Sequence, residues 1–125
     1  MARRAFSNPE KQAILNSITH PEVTKLAVEE IHSAEKSGAK AVLIDAALLF
    51  ESCLPALCSV TVSVVAEKET RLERIMKRDS ISREDALIRM NAQKDEEYYK
   101  QKADIVINNN GEDLVSQVNR VIAEL

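Results

Sequence analysis

The apolar positions of the chain repeat first at helical and then at strand-like spacing. Ala13, Ile14 and Ile18 form a short apolar face behind Ser7-Asn8-Pro9-Glu10. In that tetrapeptide Ser7 suits a helix cap, Pro9 a first turn and Glu10 the capping-box position. Pro21 opens a second helix in this reading, because Val23, Leu26, Ala27, Ile31 and Ala34 recur at three- or four-residue spacing until Gly38. His32 lies off that stripe. The period then changes: Ala41-Val42-Leu43-Ile44 is continuously apolar and predicts a buried parallel strand ending at Asp45.

A second strand is predicted over Ser59–Ala66, with Pro55 upstream and charged residues downstream. Glu67 begins a charged helix with Leu72, Ile75 and Met76 on one side. Ser82-Arg83-Glu84-Asp85 offers another capping box, followed by Ala86, Leu87, Met90 and Gln93 and a charged stretch to Lys102. Asp104–Asn108 reads as a third strand, and Asn109-Asn110-Gly111 as a turn. Leu114, Val115, Val118, Val121, Ile122 and Leu125 then form a helical stripe. Strands alternating with helices predict an α/β unit, a parallel sheet flanked by helices, with neither an internal repeat nor a linker between domains.

Composition narrows the chemistry. The 125 residues are 45% hydrophobic and 30% charged, enough for one domain that folds without a metal or disulfide. A net charge of -3 provides no broad positive field, so neither nucleic acid nor an anionic membrane is expected as a partner. The apolar run around Ala41–Phe50 contains Asp45 and is too short to span a bilayer, and MARRAF leads into SNPE without a secretory apolar region. With only Cys53 and Cys58 and no disulfide framework, a reduced cytoplasmic protein is expected. Gly38 and Gly111 are the only glycines, so neither GxxxxGK[ST] nor GxGxxG can be written here. HExxH, paired CxxC elements and GxSxG are also absent, and no metal site is assigned.

Four segments, FSNPEKQAILNSITHP, VLIDAALLFES, RMNAQ and DIVINNNG, resemble in that order the corresponding parts of dephospho-coenzyme A kinases. The resemblance runs from about Phe6 to the C-terminal helix. It implies a P-loop kinase fold and transfer of the ATP γ-phosphate to the ribose 3'-hydroxyl of dephospho-coenzyme A, with Mg²⁺ as a cofactor of the complete enzyme. It matches the family's C-terminal two-thirds, so the fold expected is an incomplete P-loop kinase-like parallel sheet: one partial domain over 1–125, with acceptor-side helices at about 1–37 and a lid at about 71–100. The phosphate loop, the flanking strands and the acid expected to activate the acceptor hydroxyl would precede it. In the family the first strand lies between those matching Val42–Ile44 and Val60–Val65. Without it, an isolated chain is expected to be inactive and to rearrange, associate or unfold, unless a homo-oligomer or the missing N-terminal segment covers the sheet edges.

The resemblance assigns residues. Asp45 would orient magnesium-bound water or the acceptor; from composition alone it is a cap or an ion-pair partner. Arg89 and Arg78 would contact phosphate, with Arg74 or Arg71 able to replace Arg78, against a reading as solvent-facing cations. Gln93, one helical turn beyond Arg89, would support the same surface. His20 and Glu51 would shape the acceptor site or fix local helices. Asn109, Asn110 and Gly111 would meet the adenine or simply start a helix, Gly111 permitting close approach or a left-handed backbone. The family often has Pro and Gly where this chain has Ala47 and Cys53. The alternative function is a noncatalytic α/β interaction or cofactor-binding module derived from the kinase.

Overall fold

A computed structural model describes residues 9–111 and 113–124, which fall into two compact units, Met1–Cys58 and Ser59–Leu125. Ser7, the proposed cap, and Leu125, the end of the last stripe, lie outside the described residues.

The first unit is dominated by one helix, α1 (Pro9–Lys36), instead of the two expected. Pro21 does not break it. A proline removes a single intrahelical bond, here the one to the Ser17 carbonyl, and the periodic residues on both sides continue the helix. Thr24 Oγ1 donates to the carbonyl of His20 at 2.8 Å in the same turn. The helix stops at Gly38, whose φ of 77° is the left-handed value a C-terminal cap requires. Its amide donates to the carbonyl of Glu35 at 3.0 Å.

Residues 41–44 are not a strand. No described segment pairs with them, and Leu43 is 92% exposed, so the apolar run lacks the neighbour that turns an extended segment into a ladder. Two short 3-10 turns follow, Leu49–Glu51 and Leu54–Leu57, with Leu54 buried. Ser52 joins them: its Oγ donates to the carbonyl of Leu49 at 2.7 Å and accepts from the amide of Leu54 at 3.1 Å. Cys53 has φ -86°, an ordinary right-handed value, so this turn needs no glycine there.

The second unit carries the sheet. Strands β1 (Val62–Val65) and β2 (Ile105–Asn108) run parallel, with Val62 opposite Ile105 and Val65 opposite Asn108. Helices α2 (Lys68–Asp79), α3 (Arg83–Asn91) and α4 (Glu96–Lys102) connect them, and α5 (Leu114–Glu124) follows β2. The Asp104 carboxylate closes the start of the ladder, accepting from the amide of Thr61 at 2.8 Å and its hydroxyl at 2.7 Å. These bonds, the hydroxyl's foremost, hold the Asp104 carboxyl below its ordinary value. Ser82 caps α3 as expected: its Oγ accepts from the amide of Asp85 at 3.1 Å and donates to the Asp85 carboxylate at 2.9 Å. Asp95, not anticipated, caps α4 by accepting from the amide of Tyr98 at 2.8 Å and so divides the charged stretch to Lys102. Leu72, Ala86 and Met90 form the core of the α2–α3 hairpin, with Ile75, Met76, Ile81 and Leu87 around them.

Candidate functional site

The α2–α3 hairpin brings Arg78 and Arg89 to the same carboxylate. Arg78, in the last turn of α2, donates from Nε to Asp79 Oδ1 at 2.7 Å and from Nη2 to Asp79 Oδ2 at 3.0 Å. Arg89, on α3, donates from Nη1 to the same Oδ2. The fork from Arg78, followed by the charges of both arginines, keeps the Asp79 carboxyl below its usual range, and Asp79 in turn raises Arg78. A second fork closes the hairpin: Arg83 Nη1 and Nη2 donate to Glu69 Oε2 and Oε1 at 3.0 and 2.9 Å. Planar guanidinium donors on one face are suited to the oxygens of a phosphate.

Gln93 stands beyond Arg89, yet its bond is to another arginine: Arg71 Nη2 donates to Gln93 Oε1 at 2.9 Å. The two line a cavity of 620 Å³ together with Lys68, Met90, Lys94 and Tyr98. Lys94 Nζ lies 5.7 Å from the centre of the Tyr98 ring. The cavity combines three cationic side chains with the carboxylates of Asp95 and Glu96, the amides of Asn91 and Gln93 and an aromatic face.

The Asn109-Asn110-Gly111 turn is fixed from three sides. Asn110 Oδ1 accepts from the amide of Glu67 at 2.8 Å, and Asn109 Oδ1 accepts from Arg74 Nη2 at 3.5 Å. Gln117 of α5 clamps the end of β2, accepting from the amide of Asn108 and donating to its carbonyl, each at 2.9 Å. Gly111 has φ 98° and nothing within 4 Å of where a Cβ would stand, so the backbone conformation, not close approach, calls for glycine. Arg74 thus belongs to this turn and Arg71 to the cavity, while Arg78 and Arg89 share Asp79.

His20, Asp45 and Glu51 belong to the first unit. His20 is half-buried within α1, Asp45 is exposed at the end of the irregular segment, and Glu51 is half-buried in the first 3-10 turn. Among the described residues no group of three His, Cys, Asp or Glu gathers around a common point, and a magnesium ion would need only one or two carboxylates beside water and phosphate oxygens.

Several residues of these clusters were not singled out from sequence, among them Asp79, Glu69, Gln117 and the cavity residues Lys68, Lys94 and Tyr98. Asp79 is one of twenty acidic residues, and charge alone does not reveal which cations share it. Gln117 lies on a helix whose apolar stripe dominated the pattern.

The sequence model of the family described as dephospho-CoA kinase matches residues 1–114. The dephospho-CoA kinase of Bacillus licheniformis is 37% identical over 119 residues, covering 94% of this chain and 59% of that protein. The crystal structure of TT1252 from Thermus thermophilus superposes with a TM-score of 0.75 at 38% identity, covering 99% of this chain and 64% of that one. The dephospho-CoA kinase structure from Campylobacter jejuni gives a TM-score of 0.61 at 33% identity, over 95% of this chain and 60% of that one. The chain therefore spans less than two thirds of the length of these relatives, and its α/β fold is that of the corresponding part of a P-loop kinase.

Proposed function

The chain belongs to the dephospho-CoA kinase family, and from that membership we propose that it supplies the acceptor-side and lid-side groups for ATP-dependent phosphorylation of the 3'-hydroxyl of dephospho-coenzyme A. The observation that carries this reading is the convergence of Arg78 and Arg89 on one anion, Asp79, in a hairpin exposed enough to meet a ligand.

In this reading Arg78 and Arg89 take the oxygens of the transferring phosphate and offset the charge that grows there. Asn109, Asn110 and the backbone at Gly111 face the adenine, and Gln93 holds Arg71 beside the cavity. His20 and Glu51 shape the acceptor site. Asp45 would orient the acceptor or a magnesium-bound water. When bound, magnesium would neutralise phosphate charge, held in part by the phosphate oxygens of the nucleotide. The phosphate-cradling backbone comes from polypeptide outside this sequence, which contains no GxxxxGK[ST] stretch. The chain alone is therefore inactive.

The test measures ADP formation dependent on both ATP and dephospho-coenzyme A. The 125-residue chain is compared with the same chain extended by the contiguous upstream-encoded polypeptide. Turnover only with an encoded phosphate loop supports the proposal; robust turnover by the purified, monomeric chain overturns it. In the extended protein, Arg89→Ala lowers turnover by about 100-fold with the fold retained, and Asp45→Asn lowers it strongly. Undiminished turnover by either variant removes that residue from the mechanism. Persistent self-association with no turnover in any form is the outcome expected of a noncatalytic interaction module.

A further inference from the structure

We propose that Asp79 is a positioning residue that holds Arg78 and Arg89 in a shared geometry ready to receive phosphate oxygens. The inference rests on the phosphoryl-transfer reading of the two arginines and adds the group that arranges them.

The three side chains differ in exposure in a way that assigns their roles. The Asp79 side chain is 19% exposed, whereas those of Arg78 and Arg89 are 72% and 56% exposed. The carboxylate is therefore the fixed member and the long guanidinium arms are the ones in need of an anchor. Both Asp79 oxygens are engaged: Oδ1 by Arg78 Nε, and Oδ2 by Arg78 Nη2 and Arg89 Nη1. Two guanidinium groups this close repel each other, and one carboxylate between them offsets that repulsion while leaving the cluster a net positive charge.

Donor capacity remains after this arrangement. Among the described residues, Arg78 uses neither nitrogen hydrogens of Nη1 nor Arg89 those of Nε and Nη2 in a hydrogen bond. A phosphate can take these donors without displacing Asp79. The side-chain order needed for binding is already in place before the anion arrives, and such preorganisation reduces what association must freeze.

Helix stability gives no reason for an acid here. Asp79 is the last residue of α2, where the helix dipole favours cations and opposes a carboxylate. Its placement is compensated by Arg78 and Arg89, and by them it links the end of one helix to the body of the next.

The assignment makes a prediction opposite in sign to that of charge alone. Replacing Asp79 by Asn makes the chain more positive, so long-range attraction alone tightens anion binding. Loss of positioning weakens it.

The experiment titrates inorganic tripolyphosphate into the 125-residue chain extended by the contiguous upstream-encoded polypeptide, with calorimetry reading binding while NMR follows the arginine Nε–H signals. Wild type, Asp79→Asn and Glu73→Gln are compared, the last making the same charge change at an exposed residue outside the cluster. Asp79→Asn is expected to weaken binding about five- to tenfold, near 1 to 1.4 kcal/mol, and to release Arg78 and Arg89 into fast motion. Glu73→Gln leaves binding unchanged or slightly tighter. Equal or tighter binding by Asp79→Asn, or arginines as ordered as in wild type, overturns the inference. Mobile Arg78 and Arg89 side chains in the phosphate-free wild type overturn it as well, without any variant having to fold. Failure of tripolyphosphate to perturb either arginine in wild type removes the phosphate reading and the inference together. Perturbation of both that is insensitive to Asp79 removes the inference alone.

Discussion

Leu72→Ala tests whether the α2–α3 hairpin is what presents the arginine cluster. Leu72 is fully buried, at 0% exposure, against Ala86 and Met90, with Ile75, Met76, Ile81 and Leu87 packed around them. Truncating a buried leucine to alanine removes its transfer free energy and leaves a cavity, costing about 2 to 5 kcal/mol in total. The four surrounding residues are only partly buried and so have freedom to close the gap. The expected cost is therefore in the lower half of that range, about 2 to 3.5 kcal/mol. That is a large fraction of the roughly 5 to 15 kcal/mol that stabilises an ordinary domain. Urea unfolding followed by far-UV circular dichroism reads it directly: with a slope near 2 kcal/mol/M, the midpoint falls by about 1 to 1.75 M. Ile88→Ala is the comparison, because Ile88 is on the same helix beside Arg89 but 64% exposed. Its change should stay within about 0.5 kcal/mol of wild type. A loss below about 1 kcal/mol for Leu72→Ala, or a matching loss for Ile88→Ala, refutes the packing argument and with it the claim that the hairpin core holds Arg78 and Arg89 in place.

Thr61→Val removes the hydroxyl that contributes most to lowering Asp104. A carboxyl whose folded-state value is depressed stabilises the fold above its unfolded value and loses that contribution as pH falls through the folded one. Wild type should therefore exceed Thr61→Val near neutrality, and the gap should narrow below about pH 4; parallel urea midpoints from pH 6 to pH 2 would contradict this. Ser82→Ala deletes the α3 cap and should cost about 1 kcal/mol in the same unfolding measurement, with an undetectable change counting against the cap. Gln117→Ala removes both bonds to the Asn108 backbone. Hydrogen exchange at the Asn108 and Asn109 amides should accelerate while exchange at Leu72 stays unchanged, and uniform acceleration would point to global destabilisation instead.

The helices of the second unit were legible because their signals are local. Ser82 followed by Asp85 marks a start, and Leu72, Ile75 and Met76 mark a face, whatever the rest of the chain does. The start of α4 was missed because Asp95 lies inside a dense run of charge in which a cap and a surface acid look alike. Residues 41–44 failed for a different reason. A continuous apolar run reports a demand for burial, but strand pairing belongs to two segments, and no described segment meets this one. Pro21 was given too much weight, since one missing hydrogen bond is a small loss within the long helix Pro9–Lys36. Among the candidate site residues, family resemblance singled out Arg78 and Arg89, but their common partner emerges only when α2 and α3 are folded side by side. Periodicity gives a helix face; it does not give the rotation that brings Asp79 between two cations.

Parallel neighbours separated by three helices also dictate an order of events during synthesis. About 40 residues separate the end of β1 from the start of β2, and closing a tether of that length costs about 3 kcal/mol in chain entropy. At roughly 5 to 20 residues per second, β1 leaves the ribosome some 2 to 8 s before its ladder partner exists. A helical hairpin condensing in that interval shortens the tether, so the nascent chain reaches its high-contact-order step with most of the search already done.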